Sequence, residues 1–222
     1  MRKAFEIGGL VAAVVLVAFG VVALVIGING RSTVNSSIKQ EKIVGSADMT
    51  PAAIAQEAKD AKLPASVSLP TCTVAGQAIE TGTQARCFAQ YMRIHTLEAT
   101  GGYTYSQMGR YQALDKTPKS ELAVGGGTNN EKWAVTANGR PVDNGLRNLW
   151  VTETALTTAL NTSYMADRLS IFGIVVGVAL LLSGIGFGVL AVGGTLKNAE
   201  PAFRIIPKHK PEATGGAHVP TS

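Results

Sequence analysis

Charge is scarce in this chain of 222 residues, of which 16% are charged and 46% are apolar. Aromatic residues make up only 6%, and there are two cysteines. So little charge beside so much apolar content is not typical of a soluble domain and indicates segments that lie in a membrane. The net charge is +5, but no basic stripe interleaved with aromatic residues accompanies it. This argues against nucleic-acid binding and favours cations that flank a membrane.

Motifs for catalysis, cofactors and metals are also missing. The chain has no HExxH or paired CxxC motif and no GxSxG elbow, and Gly125–Gly127 is not followed by the Lys-Ser/Thr of a P-loop. His95 is separated in sequence from the other two histidines, His209 and His218, which lie near the C-terminus. A lone histidine on a helix is more often a packed or surface residue than a catalyst. We therefore predict no enzyme activity, no metal and no cofactor. The alternative of an enzyme would have His95 as its one candidate catalytic residue.

Charge disappears from two long runs, residues 7–30 and 169–196, and both predict transmembrane helices. Each run exceeds the roughly 20 apolar residues that cross a bilayer as a helix. No proline interrupts residues 142–200, so we expect the second span to continue a helix that begins at about residue 146. The first run is long for a signal peptide and has no clear cleavage site, which favours a retained helix over a cleaved one.

Small residues line one face of each predicted span. On the second span they are Gly173, Gly177, Gly184 and Gly188, and on the first span they are Gly9, Ala13, Gly20 and Gly27. Small residues allow helix backbones to approach closely, and such packing drives helix association in lipid. Two interpretations follow: the two spans pack on each other, or the stripes dock a larger membrane partner. The four glycines on one side of the second span slightly favour the partner.

The intervening residues 31–168 predict a mainly helical domain outside the cytoplasm. Cations near the membrane are more numerous in the tails, residues 1–6 and 197–222, than in the loop, so both termini are predicted to be cytoplasmic. Cys72 and Cys87 both fall in the loop, and an even cysteine count in an exported segment favours a disulfide. The C-terminal tail contains four prolines and two glycines, and we expect it to be disordered.

Two short helices are predicted within this domain. Thr50 and Pro51 have the residue types of an N-cap and a first helical position, and they precede an Ala-, Glu- and Lys-rich helix over 52–61. Apolar residues at helical spacing predict a second helix over 83–98, with Ala85, Phe88, Met92 and Leu97 on its buried side. Residues 65–80, which lie between these helices, suit an extended segment or a short hairpin.

Residues 103–140 give the weakest pattern. The three consecutive glycines at 125–127 predict a flexible loop, residues 133–136 a brief strand, and Asn138-Gly139 a turn. Asp143 and Asn144 are candidates to cap the long last helix. Tyr and Met residues near this region suit the core of a small domain, but the alternative is a contact face or lipid groove, since Tyr and Met are common at interfaces. The candidate exposed contact or ligand residues are Tyr91, Met92, Tyr103, Tyr105 and Met108.

The order of these features resembles a group of small two-span envelope proteins of actinobacteria. The residues that carry the resemblance are IGGLVAAVVLVAFG, MTPAAIAQEAKDAKLP, EATGGYTYSQMGRY and TALTTALNTSYMADRLSIFG. The chain also looks like an accessory subunit of the mycobacterial Mce lipid-import machinery. That resemblance implies a permease, Mce proteins and an ATPase as partners, and it supplies no catalytic residues. The alternative function is an extracytoplasmic protein that binds or senses a lipid or a cell-wall fragment.

Overall fold

The computed structural model describes residues 2–193, and these are mainly helical. The α-helices are α1 (Arg2–Gln40), α2 (Pro51–Asp60), α3 (Gly82–Ala99) and α4 (Gly145–Val192). Short 3₁₀ helices cover Tyr105–Gln107, Lys119–Glu121 and Glu131–Trp133, and two strands, β1 (Thr136–Ala137) and β2 (Arg140–Pro141), form a hairpin. The predicted disordered tail and the last residues of the predicted second span lie outside the described residues.

Two compact units make up the chain. Of the described residues, 2–19 and 180–193 form the terminal unit, and 20–179 form the central unit. The long helices α1 and α4 contribute to both units. The central unit also contains α2, α3 and the irregular segments between them.

Helices α1 and α4 are both long and apolar enough to cross a membrane. Only 17% of the most apolar window of each helix is buried, so most of its side chains are free to meet lipid rather than a protein core. Helix α4 is one unbroken helix, as the absence of proline predicts. Helix α1 continues beyond the predicted span to Gln40, since no breaker follows residue 30.

The core of the central unit is built around α3. Of the residues predicted to be buried, Ala85, Phe88 and Leu97 are buried, while Met92 is partly buried and packs against the core. The largest fully buried side chain of the helix is Tyr91. Ile38 of α1, Ile54 of α2 and Trp150 of α4 belong to the same core cluster, which therefore joins all four α-helices.

Caps and turns follow the predicted chemistry. Thr50 Oγ1 accepts a hydrogen bond from the Ala53 backbone N–H at 3.2 Å, and Pro51 is the first residue of α2. At the start of α4, Asn144 Oδ1 accepts from the Leu146 N–H at 3.1 Å. Helix α3 ends before Gly101 and Gly102, both with positive φ, and the Gly102 N–H reaches back to the Leu97 carbonyl at 2.7 Å.

The segment before α3 is irregular rather than a hairpin. An isolated bridge joins Val44 to Ala78. The predicted disulfide is confirmed: Cys72 is bonded to Cys87 of α3, with their Cα atoms 6.1 Å apart. This bond ties the irregular segment to the helix that organises the core.

The region of residues 103–143 differs in part from its prediction. Trp133 lies in a 3₁₀ helix, and the brief strand predicted over 133–136 begins only at its last residue, Thr136. The predicted turn is confirmed, because Asn138 and Gly139 have φ of 51° and 73° and connect β1 to β2. The three consecutive glycines form a hydrogen-bonded turn, in which the Gly125 N–H donates to the Gln107 carbonyl at 2.9 Å.

Candidate functional site

The small-residue stripes bring α1 and α4 into backbone contact within the central unit. A Cβ placed on Gly177 would lie 2.8 Å from the Leu24 nitrogen and 2.9 Å from the Gly20 carbonyl oxygen. A Cβ on Gly27 would lie 2.8 Å from the Ser170 carbonyl oxygen. Such distances leave no room for a side chain, so glycine is required for this approach.

The terminal unit repeats this arrangement. A Cβ on Gly184 would lie 2.9 Å from the Val17 nitrogen and 3.0 Å from the Ala13 carbonyl oxygen, and one on Gly188 would lie 3.7 Å from the Ala13 Cβ. Gly9 is partly exposed.

Within each unit, the predicted stripes therefore lie against the other long helix of the same chain. This is the first of the two interpretations of the stripes, in which the spans pack on each other. The close contacts at Gly27, Gly177 and Gly184 leave no open surface there for a partner helix. A partner that binds the spans must contact another side of α1 or α4.

A buried charge lies where α4 passes from its polar part to its apolar part. The Asp167 side chain is 3% exposed, and its Oδ1 lies 3.3 Å from Nε of Arg31 on α1. The neighbouring Arg168 donates to Thr83 Oγ1 of α3 at 3.1 Å. These contacts link α1, α3 and α4 at the predicted edge of the membrane.

The candidate contact residues divide into three groups. For Tyr91 and Met108 the candidate exposed role is wrong and the alternative of a domain core is confirmed: they are 0% and 3% exposed and belong to the core. Tyr91 also donates a hydrogen bond to the Cys72 carbonyl oxygen at 2.6 Å. Met92 and Tyr103 are partly buried against that core. Tyr105 is exposed, at 42%.

Tyr105 borders an open apolar groove of about 480 Å³ on the polar part of α4. The groove is lined by Tyr105, Trp150, Val151, Thr154, Ala155 and Thr158. Trp150 is fixed below it, because its indole N–H donates to the Tyr103 carbonyl oxygen at 2.9 Å. The guanidinium of Arg147 lies 3.9 Å from the centre of the Tyr105 ring, a cation–π contact that fixes the other wall. The volume is within the range of small-molecule sites.

His95 is surrounded by carboxylates. Its Nε2 lies 3.5 Å from Asp48 Oδ2, and its Nδ1 lies 3.6 Å from Glu57 Oε2 and 3.9 Å from Glu98 Oε2. Asp48 lies in the turn before α2, Glu57 lies on α2, and His95 and Glu98 lie on α3. Asp48, Glu57 and His95 each offer one ligand atom within 4.8 Å of the others. We call these three residues the histidine–carboxylate cluster.

The surroundings of Glu57 in this cluster disfavour the ionised form of its carboxyl group. Burial raises the pKa of the Glu57 carboxyl, and the negative charges of Asp48 and Glu98 raise it further, while His95 acts in the opposite direction. Three atoms of the cluster, Asp48 Oδ1, Glu57 Oε2 and His95 Nε2, are inaccessible to solvent and have no hydrogen-bond partner in the described chain. The cluster therefore concentrates negative charge around unsatisfied ligand atoms.

Sequence reasoning missed this cluster because its members come from separate elements. Glu98 is three residues after His95 on one helix, so that pair was visible as helical neighbours. Asp48 and Glu57 reach His95 only through the packing of α2 against α3, which no contiguous motif records. Comparison of the chain with known protein families, with curated proteins and with solved structures finds no match.

Proposed function

We propose that this chain is a non-catalytic accessory subunit that stabilises a larger membrane complex. In this proposal α1 and α4 cross the inner membrane, both termini are cytoplasmic, and the disulfide-containing domain is extracytoplasmic. The resemblance to an accessory subunit of the mycobacterial Mce lipid-import machinery suggests an Mce-type lipid importer as the complex.

The observation that carries this proposal is the continuity of α4. One helix, Gly145–Val192, contributes Trp150 to the domain core and continues into the apolar segment without interruption. A continuous helix connects the domain directly to the apolar segment. This suits a subunit that fixes the positions of neighbouring subunits both in the membrane and outside it. The disulfide between Cys72 and Cys87 fits an oxidising compartment outside the cytoplasm.

The partner surface is assigned to the outer side of α4, since the glycine stripes are already covered. Met165, Leu169 and Phe172 are 72%, 70% and 63% exposed, and their spacing places them on one side of the helix. This stripe begins in the polar part of α4 and continues into the apolar part. A partner that has both a membrane portion and a portion outside the membrane would contact both parts of it.

Purification from cells in mild detergent tests the proposal. The tagged full chain should co-purify with other integral membrane proteins, and a permease and Mce proteins among them would support the lipid-importer assignment. Photo-crosslinking residues at Leu169 and Phe172 should link the chain to such a protein. The matched control is Leu24, which packs against Gly177 and should not crosslink to a partner. Isolation of the chain alone, with crosslinks only to lipid, would overturn the proposal.

The orientation is tested separately. In intact cells, a membrane-impermeant protease should cleave a recognition site inserted after Gly126, where the backbone turns and a side chain would meet no neighbour. The same site appended to the C-terminus should be cut only after the membrane is permeabilised. The reverse pattern would contradict the assigned topology.

A second candidate function rests on the groove beside Tyr105. Its apolar lining and volume suit an acyl chain or another lipid fragment, so the domain would bind or sense a ligand. Native mass spectrometry of the full chain released from detergent checks this. A retained lipid that is lost when Ala155, which lines the groove, is changed to Trp would favour the binding protein over the accessory subunit.

A further inference from the structure

The histidine–carboxylate cluster has the ligands of a metal site. We propose that Asp48, Glu57 and His95 bind one divalent transition-metal ion, with Zn²⁺ as the fitting ion. This site would join the turn before α2, α2 itself and α3. It is independent of the proposed role in a membrane complex.

The spacing of the cluster suits ligands better than it suits hydrogen bonds. Charge-assisted N–H···O bonds are about 2.7–2.9 Å long. The His95 Nε2 atom lies 3.5 Å from Asp48 Oδ2, and Asp48, Glu57 and His95 each offer one ligand atom within 4.8 Å of the others. Zinc bonds to nitrogen and oxygen are about 2.0–2.2 Å, which separates neighbouring ligands of a tetrahedral site by about 3.3–3.6 Å. The Asp48–His95 pair therefore already has ligand spacing for an ion, and Glu57 lies close enough to supply the third ligand.

The charge of the site also favours a bound cation. Asp48, Glu57 and Glu98 bring three carboxylates to one imidazole, so even a protonated His95 would leave the group negative. Asp48 Oδ1, Glu57 Oε2 and His95 Nε2 are removed from solvent and, within the described residues, form no hydrogen bond. Buried polar atoms normally have a hydrogen-bond partner, and a divalent cation held by the Asp48 carboxylate would be a partner for both Glu57 Oε2 and His95 Nε2.

The ligand types select the metal. Imidazole nitrogen suits Zn²⁺, Cu²⁺, Fe²⁺ and Ni²⁺, whereas all-oxygen sites suit Mg²⁺ and Ca²⁺. Nε2 of His95 is assigned as the ligand because it is the nitrogen next to Asp48. Nδ1 then faces Glu57 Oε2 at 3.6 Å and Glu98 Oε2 at 3.9 Å. Glu98 is placed to act as the carboxylate that commonly orients a zinc-bound histidine. The three protein ligands leave a fourth position for water.

Zinc titration of the purified full chain in mild detergent tests this site. The background carries His209→Asn and His218→Asn and a tag without histidine, so that His95 is its one imidazole. The disulfide remains oxidised, which keeps both thiols from competing. Calorimetry should show saturable binding of one Zn²⁺ ion per chain, and Zn²⁺ should raise the thermal unfolding midpoint. Mg²⁺ and Ca²⁺ should do neither.

Single substitutions distinguish Zn²⁺ binding at this site from nonspecific Zn²⁺ binding. His95→Asn and Asp48→Asn should each weaken Zn²⁺ affinity by more than about tenfold, since even outer-shell partners contribute about 10–100-fold. The matched control is Asp60→Asn, which makes the same change on the exposed side of α2 and should bind as the parent does. Asp48 lies in a turn and is 37% exposed, so its variant keeps the test valid if His95→Asn fails to fold. Absence of saturable binding, or equal affinity in all variants, would overturn the proposal.

Discussion

Gly184 of α4 lies directly against the backbone of Val17 of α1. A side chain at this glycine would meet the Val17 nitrogen at 2.9 Å, whereas one at Gly186, two residues later, would meet nothing within 4 Å. We therefore predict that Gly184→Leu separates the two helices of the terminal unit and that Gly186→Leu does not. Leucine is the better helix former, so the Gly186 variant should also keep its helix.

A crosslink measures this separation. The Ala13 Cβ lies 3.7 Å from the position of a Cβ on Gly188, close to the spacing of a disulfide. The pair Ala13→Cys and Gly188→Cys should therefore crosslink rapidly on oxidation, as seen by a mobility shift on gels. Adding Gly184→Leu should greatly slow the crosslink, and adding Gly186→Leu should leave it unchanged. Equal rates in the two backgrounds would show that the stripe does not hold the helices together.

The ion pair between Arg31 and Asp167 should stabilise the central unit. Arg31→Met leaves the carboxylate of Asp167 buried without its partner, which should cost about 1–3 kcal/mol in the free energy of unfolding. The double variant Arg31→Met, Asp167→Leu removes both charges and should recover part of that loss. Denaturant titration in detergent, followed by circular dichroism, measures each value.

Lys39 offers the control for this ion pair. It contacts Glu80 at 3.1 Å, but both side chains are about half exposed. Lys39→Met should therefore change stability by only about 0–1 kcal/mol. If Lys39→Met costs as much as Arg31→Met, burial of Asp167 is not the source of the effect.

Features carried by local chemistry were predictable from the sequence. The two long apolar helices follow from runs without charge, the start of α2 from Thr50 and Pro51, and the hairpin turn from Asn138-Gly139. The unbroken course of α4 follows from the absence of proline. Each of these signals lies within a few consecutive residues, where propensity and capping decide the outcome.

Features that depend on long-range packing were not predictable. The candidate exposed role of Tyr91 was wrong because helical spacing alone does not reveal which sides of α3 are covered. In the structure, α3 has buried residues on several sides. The same limitation hid Asp48 and Glu57 beside His95. The stripes of small residues allowed both self-packing and partner binding, because an apolar small-residue face suits either.

The disulfide should contribute measurably to the stability of the central unit. Cys72 and Cys87 are 15 residues apart, and closing a loop of this length stabilises a fold by about 3 kcal/mol. The double variant Cys72→Ala, Cys87→Ala should lose about that much in the free energy of unfolding. Reduction of the parent protein should produce a similar loss and should not affect the variant. A reductant effect of equal size in both proteins would indicate a cause other than this bond.

Tyr91 should make stability depend on alkaline pH. Burial raises the pKa of its phenol above the ordinary value of 10.0, and its hydroxyl donates to the Cys72 carbonyl oxygen. The folded protein therefore keeps this proton to a higher pH than the unfolded chain. The resulting stability is complete below about pH 10 and is lost as the pH rises through the folded-state pKa.

Tyr91→Phe isolates this contribution, because the other tyrosines titrate alike in both proteins. The variant should be less stable than the parent near neutral pH, by about 1–3 kcal/mol, since the Cys72 carbonyl loses its buried donor. Above about pH 10 the parent should lose stability more steeply than the variant, so the two unfolding free energies converge. Denaturant titrations near pH 8 and near pH 11 measure both differences. Parallel pH profiles would show that the Tyr91 phenol ionises as readily in the folded protein as in the unfolded chain.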